Sequence, residues 1–189
     1  HYADVTYTQD KIDEYLDRVL QLEAVACKDW LTNKEDRCVG GKVAKQQCAG
    51  ALQLPLNNVG VMALDYNGKE GIATSIGHSP LTALISPTAG SRNAIAEALT
   101  NIVFAPLEGG LKGVSLSANW MWACRNKGED ARLYEAVEAA SDFAIQLGIN
   151  IPTGKDSLSM KQKYPEGGDV IAPGTVIISA AAHCTDVQK

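Results

Sequence analysis

The sequence VGVMALDYNGKEGIATSI, at residues 59 to 76, is the clearest indication of the fold. Residues 59–66 and 71–76 are two strand-like segments, and the Asn67 and Gly68 between them are typical of a tight hairpin turn. This pattern predicts two antiparallel strands joined by a short connection.

Helical periodicity on both sides of this hairpin predicts three helices. Thr8, then Ser86 or Thr88, and finally Asp130 are the candidate capping residues at their starts. Acidic side chains in the first turn of the first helix, and Pro87 in the first turn of the second, favour the same starts. The predicted helices lie at about 8–25, 86–104 and 130–147, and two further strands are predicted at 113–117 and 175–182.

The segment between the first helix and the hairpin has no clear periodicity. Residues 32–55 are polar and contain three glycines, so we expect a long loop there. The order of helix, hairpin, helix, strand, helix and strand predicts an α+β fold, with one mixed sheet covered on one side by helices. At 189 residues and 46% hydrophobic composition, the chain suffices for one sizeable core, so we expect residues 1–189 to form a single domain.

The composition argues against two classes of partner. Charged residues make up 21% of the chain, the formal net charge is -5, and lysines and arginines form no block, so no nucleic-acid partner is expected. No apolar run approaches the roughly 20 residues that a membrane helix needs, and the first residues carry no signal-peptide pattern. We therefore expect a soluble, cytoplasmic protein. Because the chain begins at His1 rather than at a methionine, we also expect a piece of something longer.

The cysteines fit neither a disulfide framework nor a zinc site. They are odd in number, far apart in sequence, and contain no CxxC pair. We expect reduced thiols at all five positions: Cys27, Cys38, Cys48, Cys124 and Cys184.

The hexamer AEALTN, at residues 96 to 101, carries the first candidate site. It places Glu97 and Asn101 one helical turn apart beside small alanines, so a carboxylate and an amide oxygen can share one hard cation. The same spacing also occurs on an ordinary exposed helix face, and the pair alone does not decide between these interpretations.

Four other segments have both a functional and an ordinary interpretation. Lys28 can meet a phosphate as a point charge, or can be a solvated lysine. Asn57 and Asn58 can reach a ligand from a loop end, or can be turn residues. The segment GKDSLSM, at 154–160, can hold an anionic group or can be a polar turn before a strand. The two tryptophans of SANWMWA, at 117–123, favour core packing over cofactor stacking.

No residue is assigned to catalysis. His78 and His183 have no serine, cysteine or acidic neighbour arranged as a nucleophilic triad, and His1 can be an expression scar.

Five segments in the same order resemble the phosphoribosylformylglycinamidine synthase family. They are DRCVGGKVAKQQCAG at 36–50, QLPLNNVGV at 53–61, AEALTNIVFA at 96–105, SANWMWA at 117–123 and GKDSLSM at 154–160. The resemblance is to the second of that enzyme's two aminoimidazole-ribonucleotide-synthetase-like halves, and within it to the sheet-forming N-terminal domain. It implies a fragment of an ATP- and glutamine-dependent ligase that makes formylglycinamidine ribonucleotide in purine biosynthesis.

The resemblance also implies roles for particular residues. This half of the enzyme supplies the metal side of an auxiliary site that holds ADP and magnesium. Glu97 and Asn101 match two of the Mg²⁺ ligands, Lys28 matches a nucleotide contact, and Asn57 matches a backbone contact to the nucleotide. The remaining ligand from this half is an aspartate in the family, and Asn58 stands in its place, which removes one negative charge.

Two further expectations concern the polar segment and the sheet. We assign Lys155, Asp156 and Ser157 to a surface that holds phosphate near the nucleotide or substrate. His78 departs from the family, where an acid usually follows the sequence SIG. The partners implied by the resemblance are the sister half and the glutaminase domain of the same parent chain. Without that half, we expect an exposed, apolar sheet face and a homodimer.

Two alternatives to this reading remain. The chain can be a purely architectural module whose sheet pairs with a sister domain and whose nucleotide site is degenerate and empty, which Asn58 favours. A free-standing relative such as selenophosphate synthetase or thiamine-monophosphate kinase fits the fold, but does not fit the segments SANWMWA and GKDSLSM.

Overall fold

The predicted hairpin is present in the computed structural model, which describes residues 6–27, 29–35, 37, 40–54 and 57–189. Strand β2 (Val59–Ala63) pairs antiparallel with β3 (Gly71–His78). Asp65 holds the turn, because its Oδ1 accepts the backbone N–H groups of Asn67 at 2.7 Å and Gly68 at 2.5 Å. These hydrogen bonds, led by that from Gly68, lower the pKa of the Asp65 carboxyl.

The hairpin belongs to a six-stranded mixed sheet with the order β1-β2-β3-β8-β4-β5. All neighbours are antiparallel except β4 and β5, which run parallel. Two short strands form a separate antiparallel pair, β6 with β7. The remaining strands are β1 (Val43–Lys45), β4 (Ser115–Met121), β5 (Asn150–Ser157), β6 (Lys161–Lys163), β7 (Asp169–Ile171) and β8 (Thr175–Cys184).

Helices cover one face of the large sheet. Helix α4 (Pro87–Ile102) packs on β3 and β8, and α5 (Glu129–Leu147) packs against α4. Buried and exposed residues alternate along β3 and through most of β8, so one face of these strands lies in the core and the other is open. The α+β architecture expected from the sequence is confirmed. The residues at the centre of the core include Ile95, Ile102, Val59, Leu116 and Ile178.

Three shorter helices complete the described part of the chain. Helix α1 (Ile12–Leu20) follows a 3-10 turn and buries none of its residues, and α2 (Asp29–Thr32) is a single turn. Helix α3 (Pro80–Ile85) lies just before α4. No helix within the described ranges is long and apolar enough to cross a membrane.

Several predicted boundaries differ from those observed. The segment predicted as a long loop contains β1, whose three residues are too few to show a period of their own. Helix α3 was missed for the same reason, because six residues are too few to show a helical period. Ser79 and Pro80 at its start are nevertheless typical of a helix N-terminus. The third long helix begins at Glu129, after Gly128 with φ +83°, so Asp130 lies within its first turn rather than capping it.

The segment GKDSLSM also differs from the prediction. Its first four residues lie inside β5, where a polar turn was expected. Strand β5 is at the edge of the sheet and most of its residues are exposed, so its polar composition is compatible with a strand.

The tryptophans and cysteines occupy the environments expected of them. Trp122 is 1% exposed and its Nε1 donates to Glu129 Oε2 at 2.9 Å, while Trp120 packs partly buried against the core. The four cysteines in the described ranges are free thiols, and the fifth, Cys38, lies outside those ranges. Burial raises the pKa of the Cys184 thiol and contributes most to the raised pKa of Cys124.

Helix α4 lies unusually close to β3. A Cβ atom added to Gly77 would stand 1.9 Å from the carbonyl oxygen of Ala94 and 2.5 Å from the backbone nitrogen of Ala98. Beside it, the buried Ser75 donates from Oγ to the carbonyl oxygen of Ala98 at 2.6 Å. The helix and strand backbones are therefore in direct contact, and only glycine fits at position 77.

Replacement of Gly77 by alanine tests this contact. We expect Gly77→Ala to lower the free energy of unfolding by about 3 kcal/mol, because the methyl group forces α4 away from the sheet. Gly60→Ala is the matched control, since a Cβ there meets Thr74 Oγ1 at an ordinary 3.5 Å. Urea unfolding followed by circular dichroism measures both, and equal stability of the two variants would contradict the predicted contact.

Candidate functional site

The predicted cation ligands Glu97 and Asn101 both contact the backbone of β3. The pairing of β2 with β3 reaches Val59 opposite Ser75. Beyond that point Glu97 Oε2 accepts the N–H of His78 at 2.6 Å, and Asn101 Nδ2 donates to the carbonyl oxygen of Ile76 at 3.2 Å. The helix thus fixes both side chains against the strand through hydrogen bonds to backbone groups.

These contacts use only part of each side chain. Glu97 keeps its second carboxylate oxygen, and Asn101 keeps its amide oxygen, without a hydrogen-bond partner in the part of the chain that the structure describes. Both free atoms are hard oxygen donors of the kind that Mg²⁺ binds. The hydrogen bonds to β3 therefore orient the remaining oxygen atom of each side chain, which is available to a ligand.

A cavity of about 680 Å³ brings all three predicted metal ligands together. Asn58, just before β2, and Glu97 and Asn101, on α4, all line it. Its volume lies in the range usual for small-molecule sites. Asn58 thus shares one cavity with residues 39 and 43 positions later in the sequence, as expected of a common site.

The open face of the sheet supplies most of the remaining lining. Its side chains there are small and carry hydroxyl groups, and they come from β3, β8, β4 and β5. Sequence reasoning missed them, although those on β3, β4 and β8 alternate with buried apolar neighbours, which is the signal of an exposed strand face. They are Thr74, Ser115, Ser117, Thr153 and Ser179.

The ligand set carries little charge. Glu97 provides one carboxylate, whereas Asn58 and Asn101 provide neutral amides. The described ranges hold no group of three or more histidine, cysteine, aspartate or glutamate side chains suited to a metal. The oxygen donors fit Mg²⁺ in kind, but one carboxylate is a small charge for a divalent ion that prefers carboxylate and phosphate oxygens. A bound phosphate group would supply the missing charge.

Asn57 has a structural role beside this cavity. Its Nδ2 donates to the carbonyl oxygens of Gln46 and Val59, both at 2.8 Å, and its backbone N–H donates to Gln47 at 2.8 Å. The side chain thus joins the preceding loop to the start of β2 and sets the position of Asn58. Lys28, the predicted nucleotide contact, lies outside the described residues.

The three residues assigned to a phosphate-holding surface lie on β5 and do not line this cavity. Lys155 pairs with Asn119 of β4 and Ser157 with Met121, and Lys155 Nζ donates to Ser157 Oγ at 2.5 Å. Because side chains alternate along a strand, Asp156 projects from the opposite face. The structure therefore separates the carboxylate of this set from its lysine and hydroxyl.

Comparison with known proteins identifies the fold and the family. The chain is 48% identical to phosphoribosylformylglycinamidine synthase of Drosophila melanogaster over 178 residues, and 48% identical to that of Homo sapiens over 177. These alignments cover 94% and 93% of the chain, but only 13% of each relative. The chain thus spans about an eighth of the length of the relatives it matches.

Solved structures share the fold at lower identity. PurLQS from Thermotoga maritima superposes with a TM-score of 0.61 at 16% identity, covering 86% of this chain and 24% of that one. PurL from Thermotoga maritima complexed with ADP superposes with a TM-score of 0.54 at 16% identity, covering 70% and 20%. The model of the FGAR-AT PurM_N-like domain matches residues 27–183. The chain therefore belongs to the FGAR-AT PurM_N-like domain family.

Proposed function

We propose that the chain is one domain of a phosphoribosylformylglycinamidine synthase, the ligase that converts formylglycinamide ribonucleotide to formylglycinamidine ribonucleotide using ATP and glutamine. The support is the identity to enzymes of that name along 94% of the chain, and the domain model that matches residues 27–183. The sister half and the glutaminase domain of the parent enzyme are then its partners, and the cytoplasm is its compartment.

Within that enzyme, the domain contributes the metal side of an auxiliary ADP-Mg²⁺ site. The observation that carries this proposal is the single cavity lined by Asn58, Glu97 and Asn101. PurL of Thermotoga maritima, which has a similar fold, has been solved in complex with ADP, with ATP and with FGAR, and this supports a nucleotide as the ligand. Glu97 and Asn101 present oxygens oriented by β3, and Asn58 adds an amide oxygen from the start of β2.

The residues of this chain bind and orient; none of them is assigned a proton or covalent step. Magnesium, when bound, neutralises phosphate charge. Lys28 contacts the nucleotide in this proposal. Lys155 and Ser157, on one face of β5, serve a phosphate group, whereas Asp156 projects from the opposite face and takes no part in that contact. Because the partner half supplies the rest of each site, the 189-residue chain alone is catalytically inactive.

An architectural role is the second candidate. Asn58 favours it, since an amide where a carboxylate would complete the charge weakens metal binding. In that case the cavity holds no nucleotide and the domain serves only to pair its sheet with the sister half. Binding of Mg-ADP separates the two candidates.

We expect the 189-residue chain to bind Mg-ADP weakly, with a dissociation constant above about 1 μM. The physical reason is the single carboxylate at the metal position. Calorimetric titration measures the constant, and thermal unfolding with and without Mg-ADP gives an independent readout, because a ligand of the folded state raises its stability. Sub-micromolar affinity would contradict the weak site, whereas no shift at saturating ligand would favour the architectural role.

Restoring the carboxylate should strengthen the site. We expect Asn58→Asp to tighten Mg-ADP binding about tenfold, which corresponds to about 1.4 kcal/mol. Asn67→Asp is the matched control, because it adds the same charge at the hairpin turn, at the other end of β3. Titrations of both variants with Mg-ADP, and with ADP in the presence of EDTA, measure the effect. An equal gain in the two variants would assign it to net charge rather than to coordination.

We also propose that the isolated chain forms a homodimer through the open sheet face. This face is mixed rather than uniformly apolar, because serine and threonine side chains lie between the exposed Ile72, Ile76 and Met62. The exposed apolar residues nevertheless favour burial in a second copy.

Light scattering at tens of micromolar protein tests this association. We expect a dimer for the unmodified chain and a monomer for Ile76→Lys, which places a charge on the open face. Leu81→Lys is the control, since Leu81 is similarly exposed, at 73% against 60% for Ile76, but lies on α3. A monomeric unmodified chain, or equal effects of the two substitutions, would refute dimerisation through this face.

A further inference from the structure

The loops that follow β4 and β5 run side by side past the ends of the two strands. Trp122 N–H donates to the carbonyl oxygen of Ser157 at 2.8 Å, and Cys124 N–H donates to that of Leu158 at 3.1 Å. Because β4 and β5 are parallel, both loops leave the same edge of the sheet. The carboxyl ends of parallel strands are a common place for ligands to bind in sheets covered by helices.

A small cavity opens between these loops and is rich in cationic side chains. The loop after β4 contributes Arg125, and β6 contributes Lys161 and Lys163. The two lysines are two residues apart in a strand, so they project from the same face. We refer to this space, which Ala123, Asn126 and Ser159 complete, as the basic cavity.

Only one of the three cations in the basic cavity is neutralised. Lys161 Nζ lies 2.5 Å from Asp169 Oδ2. That hydrogen bond, with the charges of Lys161 and Lys163, lowers the pKa of the Asp169 carboxyl. Arg125 and Lys163 form no ion pair with any residue in the described ranges. Two positive charges therefore remain unpaired, in a chain whose formal net charge is -5.

Three acidic residues lie near the loop after β4, and two of them are engaged by other groups; the third, Asp156 on β5, forms no ion pair in the described ranges. Glu129 and Asp130 lie close enough to raise the pKa of Cys124, although burial contributes more. Glu129 accepts from Trp122 Nε1 and pairs with Arg132 at 3.4 Å, and Asp130 accepts the backbone N–H of Ala131. Both carboxylates thus bond to groups outside the basic cavity, and neither forms an ion pair with its cations.

The size and donors of the basic cavity define the ligand. Its volume of about 250 Å³ is below the range usual for drug-sized molecules, so it suits a single compact group. A guanidinium, an ammonium and the Ser159 hydroxyl are all hydrogen-bond donors, and the guanidinium fork matches two oxygens of a phosphate. We propose that the basic cavity binds a phosphate-type oxyanion, separately from the cavity at Glu97.

Titration of the 189-residue chain with inorganic phosphate, and separately with ribose 5-phosphate, tests this site. Backbone amide signals are followed by NMR spectroscopy. We expect saturable changes at residues 123–126 and 159–163 with either probe. Equal affinities would identify the phosphate group alone as the ligand, and tighter binding of ribose 5-phosphate would identify an organic phosphate.

Charge variants separate a built site from general attraction. We expect the double variant Arg125→Glu with Lys163→Glu to lose at least about tenfold in phosphate affinity, because both unpaired cations are reversed. Lys127→Glu is the control, since Lys127 is on the same loop but lines a different cavity, and its affinity should change much less. Circular dichroism checks that each variant is folded.

Asp169→Asn gives the sharpest result. It releases Lys161 from its ion pair, so phosphate should bind more tightly than to the unmodified chain. Signal changes confined to other parts of the chain, no saturable change with either probe, or unaltered affinity in Asp169→Asn and in the double variant would overturn the proposal.

Discussion

The contact between helix α4 and strand β3 determines most of what this domain presents to a ligand. Gly77 lets the two backbones meet, and Ser75 donates to the helix from within the core. On the more exposed flank of the same helical turns, Glu97 and Asn101 continue the contact by bonding to the strand backbone. A single interface between helix and strand is thus buried on one flank and offers ligand-binding side chains on the other.

This arrangement gives the candidate metal site its rigidity. Side chains that are already hydrogen-bonded to the backbone lose little further conformational entropy when a cation binds, because they were ordered when the chain folded. Asn57 does the same for the third predicted ligand, because its amide fixes the loop that carries Asn58. Metal binding at this site is limited by its charge and not by its geometry, because only one of the three oriented side chains is a carboxylate.

The sequence predicted those features whose signal is local and repeated. The hairpin and the long helices follow from periodicity, and the grouping of Asn58 with Glu97 followed from family resemblance. The apolar run at 175–182 predicted strand β8, but not the alternation of buried and exposed residues along most of it. Strand β5 was missed because its exposed edge position permits polar residues, which in sequence look like a turn. The hydroxyl-lined sheet face was missed because serine and threonine at alternate positions carry no meaning until neighbouring strands are placed beside them.

The cavity at Glu97 and the basic cavity carry opposite charges, so they suit different ways of binding a phosphate group. The cavity at Glu97 carries a carboxylate and so attracts a cation, and a phosphate reaches it only together with that cation. The basic cavity has two unpaired positive charges and attracts a phosphate without a metal. The cavity at Glu97 reaches Thr153 in the middle of β5, whereas the basic cavity lies past the carboxyl ends of β4 and β5, so the two cavities share no lining residue. In the two proposals, a phosphate group that binds through a metal and one that binds directly thus occupy different positions on one sheet.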